Sequence, residues 1–230
     1  MFSIAACGAG PIAWDEQLVP LPARGDESAE TVSRFPGQCR SSVRAWTSKP
    51  AAYAVWWAVR PDSTADIVAS VTTNGIHWSA PVKVDTVDVG RVGCDRPPPS
   101  LFADGDNLHV VYSMTAKEGP GVFLAHSMDR ARTLHSPVAV VYGARPAMTS
   151  VAAEGNLVVV AYEDPNTTPT RISVALSTTM AHLFEFRESV SPPDGAVSAP
   201  WVHLDGRNIE VSWNRAGDSH DRTGKRGTIR

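Results

Sequence analysis

Three arginines recur at matching separations: Arg40, Arg96 and Arg145 stand 56 and 49 residues apart. A guanidinium is a planar fork of donors that grips a carboxylate through two parallel hydrogen bonds. If the three occupy equivalent places in a repeated fold, they converge on one site for an acidic ligand. The alternative is that each pairs with a local acid such as Asp95 or caps a turn. Cys39 and Cys94 lie one and two residues ahead of Arg40 and Arg96, so they share that equivalence. They make either a disulfide between repeats or two buried thiols. The seven histidines show no metal-ligand spacing, so neither a metal nor a cofactor is expected. Trp56, Trp57 and Trp78 are read as packing residues, although exposed tryptophans can stack on sugars.

The elements that must position these residues repeat. Around Pro99 to Val140 the chain reads as four short strands: Leu101–Ala103, Leu108–Met114, Val122–Ser127 and Pro137–Tyr142. Asp104-Gly105-Asp106-Asn107 and Lys117-Glu118-Gly119-Pro120 separate them, and period-2 runs bounded by such turns are strand signatures. The unit recurs. Leu108, Leu157 and Ile209 follow matching turns, 49 and 52 residues apart. Trp78, Leu134 and Phe184 end matching turns after the third strand, 56 and 50 residues apart. A period near fifty residues with four strands per repeat predicts an all-β propeller of four-stranded antiparallel blades. Each blade buries both faces against its neighbours.

The turn after the third strand carries a family resemblance. Ser127-Met128-Asp129 with Ala131 and Leu134, Ser177-Thr178-Thr179 with Ala181 and Phe184, and Val71-Thr72-Thr73-Asn74-Gly75 with Trp78 each keep part of a Ser-x-Asp-x-Gly-x-x-Trp pattern. Ser, Thr and Asp side chains hydrogen-bond turn backbone, and a large apolar residue anchors the turn. The pattern resembles the Asp boxes (BNR repeats) of the sialidase-like propeller superfamily, over roughly Trp14 to Trp213. The resemblance implies that these boxes are structural and lie away from the active site. It also implies an arginine triad gripping a sialic acid carboxylate, a tyrosine nucleophile with a glutamate partner, and an aspartate acid/base. The candidates here are Arg40, Arg96 and Arg145 for the triad, and, outside any diagnostic motif, Tyr162 and Glu163 for the nucleophile pair and Asp95 for the acid/base. The Phe/Tyr-Arg-Ile-Pro signature is replaced by Arg34-Phe35-Pro36. Tyr112 and Tyr162 also suit plain sheet packing.

A chain of 230 residues can bury a sizeable core as one domain, and 17 glycines with 18 prolines fit many turns. A net charge of −3 argues against nucleic acid as a partner. No apolar run reaches membrane-spanning length. Ile4-Ala5-Ala6-Cys7-Gly8 matches a bacterial lipobox, with too few residues ahead of it for a whole signal peptide. It is either a chance tetrapeptide or the mark of a start assigned too late. In the second case Cys7 is lipidated, residues 1–11 are a tether, and the protein sits on the bacterial cell envelope or is secreted.

Residues 12–230 then form the propeller domain. Trp14 to Leu21 reads as an outer fourth strand that closes the last blade. Blades follow at about Arg40–Val89, Arg96–Tyr142 and Arg145–Val190, and a fourth starts near Pro200. After Asn214 the pattern fades into AGDSHDRTGKRGTIR, which lacks clear third and fourth strands and favours a chain truncated from six blades. Gly217-Asp218-Ser219-His220 is a poor match to a hydrolase start in this position. Two functions stand: a surface-anchored, non-catalytic propeller that binds glycan or protein, and a sialidase-type glycoside hydrolase acting on terminal sialic acids. The expected partner is an acidic sugar or glycan, or a protein, with the arginine series pointing to the acidic sugar.

Overall fold

The computed structural model describes residues 10–21, 31–88, 93–215 and 222–230. Cys7 and Gly217–His220 lie outside them. The described residues form four antiparallel sheets. The first blade joins β3 (Arg44–Ser48), β4 (Ala51–Val59), β5 (Ala65–Thr72) and β6 (Val82–Lys83). The second joins β7 (Ser100–Asp104), β8 (Asn107–Ala116), β9 (Gly119–Ser127) and β10 (Val138–Tyr142). The third joins β11 (Thr149–Glu154), β12 (Leu157–Glu163), β13 (Ile172–Ser177) and β14 (Phe186–Ser189). The fourth joins β15 (Val197–Asp205), β16 (Asn208–Arg215) and β17 (Arg222–Ile229) with β1 (Ile12–Trp14), while β2 (Val19–Pro20) pairs farther along β17. This is a four-bladed β-propeller, as the period predicts.

The fourth blade corrects the expectation of missing strands. Its third strand is β17 and its fourth is the N-terminal β1, which pairs Ile12 with Ile229 and Trp14 with Gly227. The hydrophobic period fades there because glycines fill inward positions of β17. A Cβ on Gly224 would meet the carbonyl of Val211 and lie 2.5 Å from Leu21 Cδ1. A Cβ on Gly227 would lie 2.9 Å from the Ala13 carbonyl and from the Trp14 ring. The strand packs through its backbone, so it carries no apolar stripe to read.

Strand alternation sends each blade's side chains into two different cores. On β8, Val110, Tyr112 and Met114 join the core shared with the first blade, while Val111 joins the core shared with the third. On β12, Val158, Val160 and Tyr162 face the second blade, and Val159 and Ala161 face the fourth. Burial of each large aliphatic side chain contributes roughly 1.5–3 kcal/mol. The inner strands pack in the order β3, β7, β11, β15. The remaining face of the first blade, with Trp56 and Val68, is covered by Val32 and Phe35, and Phe35 stacks on Trp56 at 5.2 Å. Hydrogen bonds tie adjacent blades: Gly105 N–H donates to Ser48 Oγ, and Gly206 N–H to Glu154.

The three turns after the third strands hold themselves by one bonding scheme. Ser127 Oγ accepts from the N–H groups of Asp129 and Ala131, and Ser177 Oγ from those of Thr179 and Ala181. Thr72 Oγ1 does the same for Asn74 and Gly75. The side chain two residues on caps the far half: Asp129 accepts from Thr133, Thr179 from Leu183, and Asn74 from Ile76 and His77. In each of the Ser127 and Ser177 turns, two side-chain oxygens fix alternate N–H groups, which explains why Ala131 and Ala181 tolerate positive φ.

Candidate functional site in the central cleft

The structure brings two of the repeated arginines together and not the third. Arg96 and Arg145 line one small pocket between the second and third blades, with Asp95, Ser113 and Gly143. Arg40 points elsewhere, donating to Gln38 Oε1 at 3.0 Å and to the Val32 carbonyl at 3.4 Å. Arg96 is buried in an ion pair with Asp88 at 2.6 Å, its guanidinium 4.0 Å above the Trp57 ring. The paired acid is Asp88 rather than Asp95. Arg145 closes the loop after β12, donating to the carbonyls of Asp164, Pro165 and Thr167. Both guanidiniums therefore serve blade structure. Ahead of these arginines, Cys39 and Cys94 are joined as a disulfide, their Cα atoms 5.3 Å apart.

Tyr162, Glu163 and Asp95 do not meet. Tyr162 and Glu163 are neighbours on one strand, so the pleat points them to opposite faces. Tyr162 is buried in the core between the second and third blades, and burial, then the Asp164 charge, raises its phenol above the ordinary value. Glu163 faces the fourth blade, accepting from Met148 N–H at 3.1 Å and Ala199 N–H at 3.0 Å. Asp95 sits exposed at the rim of the Arg96 pocket. Tyr112 is likewise buried, its phenol raised by burial and then by Asp85.

The central cleft, of about 200 Å³, is walled by the inner strands of all four blades. Its chemistry lies four residues beyond each predicted arginine. Arg44, Ser100 and Thr149 open β3, β7 and β11, and they repeat the separations of 56 and 49. Ser100 and Thr149 hydroxyls bond at 3.0 Å. Trp46 and Phe102 lie on one wall, ring centroids 5.0 Å apart. Trp201 stacks on His203 on another, at 5.7 Å and nearly parallel. Arg44 Nη1 donates to the carbonyls of Ser41 and Val43.

Arg222, at the start of β17, is the cation that sequence reading missed. It is part-buried, and it donates to Ser212 Oγ, the Ser212 carbonyl, Asn214 Oδ1 and the Ala199 carbonyl. Every one of these partners is neutral. Burial lowers its pKa, and no carboxylate is among its hydrogen-bond partners. Trp201 reaches the cleft through a β-bulge: Ala199 and Pro200 together stand opposite the single Trp213. A bulge re-aims the side chains that follow it. Ala199 holds a positive φ of 53° there.

The expectation that the histidines are scattered also needs correction. Three of the seven gather where the turns of the second and third blades meet: His126, His135 and His182. They are 9 and 47 residues apart in sequence and come from two blades. Only the repeat brings them together, so no local spacing could show them.

No protein-family model matches the chain, and no curated protein does. Solved structures do. A protein of unknown function from Dyadobacter fermentans DSM 18053 is 19% identical with a TM-score of 0.57, over 81% of this chain and 52% of that one. The Hadza microbial sialidase Hz136 is 13% identical with a TM-score of 0.55, over 82% of this chain and 46% of that one. CoXyl43, a GH43 β-xylosidase/α-arabinofuranosidase from a compost microbial metagenome, is 12% identical with a TM-score of 0.54, over 90% of this chain and 78% of that one. The chain spans about half the length of the first two. At these identities the likeness is one of fold, and the fold shared is the β-propeller.

Proposed function

We propose that the protein is an exported propeller that binds glycans in its central cleft and prefers an acidic sugar. Arg222 carries the reading: a part-buried guanidinium at the cleft wall, bonded only to neutral acceptors. A ligand carboxylate supplies the charge the protein does not. Trp46 and Trp201 offer apolar faces for a sugar ring, and the Ser100–Thr149 hydroxyl pair offers polar contacts between them. Two of the similar folds are named as sugar-processing enzymes, a sialidase and a xylosidase, the latter in complex with xylotriose.

Binding is favoured over hydrolysis. Glycosidases use a pair of carboxylates, or a tyrosine with a carboxylate, beside the scissile bond. Among the described residues that line the cleft there is no Asp, Glu or Tyr. Glu163 lies behind the wall with both carboxylate oxygens engaged. The shared bonding scheme of the three turns supports their descent from Asp boxes. The Cys39–Cys94 disulfide supports an oxidising compartment. Lipid anchoring through Cys7 belongs to the same reading and rests on the lipobox match alone.

Calorimetric titration with sialic acid and with neutral N-acetylglucosamine tests it. The acidic sugar should bind more tightly, and its affinity should fall as salt rises. Equal affinity for both, or binding of neither, would overturn the reading. Release of sialic acid from sialyllactose would replace binding with hydrolysis.

A further inference from the structure

His126 is the next-to-last residue of the third strand of the second blade, with only 1% of its surface exposed, and neither ring nitrogen has a hydrogen-bond partner. Buried polar atoms are nearly always satisfied, so two on one side chain call for a missing partner. In a neutral imidazole one nitrogen carries a lone pair and the other a proton, so an electron-pair acceptor can satisfy the first, and the neighbouring side chains indicate which acceptor. The ring centroids of His135 and His182 lie 4.3 and 4.8 Å from that of His126. One nitrogen from each of the three falls within 4.8 Å of the others.

We propose that His126, His135 and His182 bind one divalent transition-metal ion of the zinc class at the junction of the second and third blades. Three imidazoles suit zinc, cobalt, nickel or copper, and they suit calcium or magnesium poorly. The donors are oriented for it. His182 Nδ1 donates to the Thr179 carbonyl at 2.6 Å, which fixes the tautomer and leaves Nε2 as the ligating atom. His135 N–H donates to the His126 carbonyl at 2.8 Å, which pins the returning loop beside the strand. A zinc–nitrogen bond of about 2.0–2.1 Å sets tetrahedral nitrogens about 3.3 Å apart. The part-exposed His135 can close that difference by side-chain rotation, while His126 stays fixed in the wall. With three protein ligands, a fourth position would be left for water or an anion. The site is built on the two Ser-anchored turns, whose backbone is already fixed by Ser127 and Ser177.

The test uses untagged, chelator-stripped protein titrated with zinc and with cobalt. One ion per chain is expected, with a cobalt visible spectrum of low-coordinate nitrogen ligation. Zinc should also raise the thermal midpoint. His135→Ala and His182→Ala remove side chains that are not core, so both should fold. Each should weaken binding at least about tenfold and abolish the thermal shift, whereas His77→Ala should leave both unchanged. Failure of the wild type to bind at a saturable site would overturn the proposal. So would equal binding by wild type, His135→Ala and His182→Ala, which would mark the ion as adventitious.

Discussion

Glu163 and Arg222 hold opposite ends of one residue. Ala199 N–H donates to Glu163 Oε1 at 3.0 Å, and the Ala199 carbonyl accepts from Arg222 Nη2 at 2.8 Å. The anion comes from the third blade and the cation from the fourth. Between them they fix a non-glycine residue in the left-handed region, which costs about 1–2 kcal/mol when nothing supports it. The bulge so held delivers Trp201 to the cleft, and Arg222 reaches the cleft by the same contact.

Removing the clamp should therefore cost stability. Glu163→Ala strips acceptors from the N–H groups of Ala199 and Met148, and a loss of about 1–3 kcal/mol is expected in urea unfolding. Glu163→Gln should recover part of it, because the amide oxygen still accepts. A loss below about 0.5 kcal/mol for the alanine variant would show that water replaces the carboxylate.

A second prediction concerns acid. Hydrogen bonds from Thr133 N–H and Oγ1–H, then from Ser127, hold Asp129 down to about 2, against an ordinary 3.8. A carboxylate with a depressed folded-state pKa contributes stability that is whole above about 3.8 and is lost as pH falls towards 2. The thermal midpoint of the wild type should fall more steeply than that of Asp129→Asn across this window. Parallel curves would contradict the bonding scheme given for the turn.

The third concerns closure of the fourth blade. Gly224→Ala drives a methyl into the Val211 carbonyl and Leu21. It should cost about 1–3 kcal/mol and expose residues 12–20 to limited proteolysis. Unchanged stability with no new cleavage would mean that β2 does not seat on β17 as described.

What could be read in the sequence follows from where side chains carry the signal. Blades two and three are legible because Val110 to Met114 and Val158 to Tyr162 alternate between two cores, which leaves near-continuous apolar runs bounded by turns. The turns are legible because Ser127, Ser177 and Thr72 do the same local work in each. β17 is not, because Gly224 and Gly227 pack through backbone and Arg222 opens it with a charge. The arginine repeat has the correct period but the wrong phase. Arg40, Arg96 and Arg145 precede the inner strands, and the cleft-facing set starts at Arg44, Ser100 and Thr149. The histidine site needs two blades at once, so only the folded chain displays it.

The most direct measurement is titration of sialic acid into the wild type and into Arg222→Gln, at low salt, with thermal midpoints recorded to confirm folding. Trp201→Ala, which leaves the cation in place, serves as the companion variant. Loss of the carboxylate's partner should weaken acidic-sugar binding by at least about tenfold, the scale of a charge-assisted hydrogen bond. It should leave any binding of the neutral sugar unchanged, while Trp201→Ala should weaken both. Wild-type affinity for sialic acid in a folded Arg222→Gln protein would contradict the account.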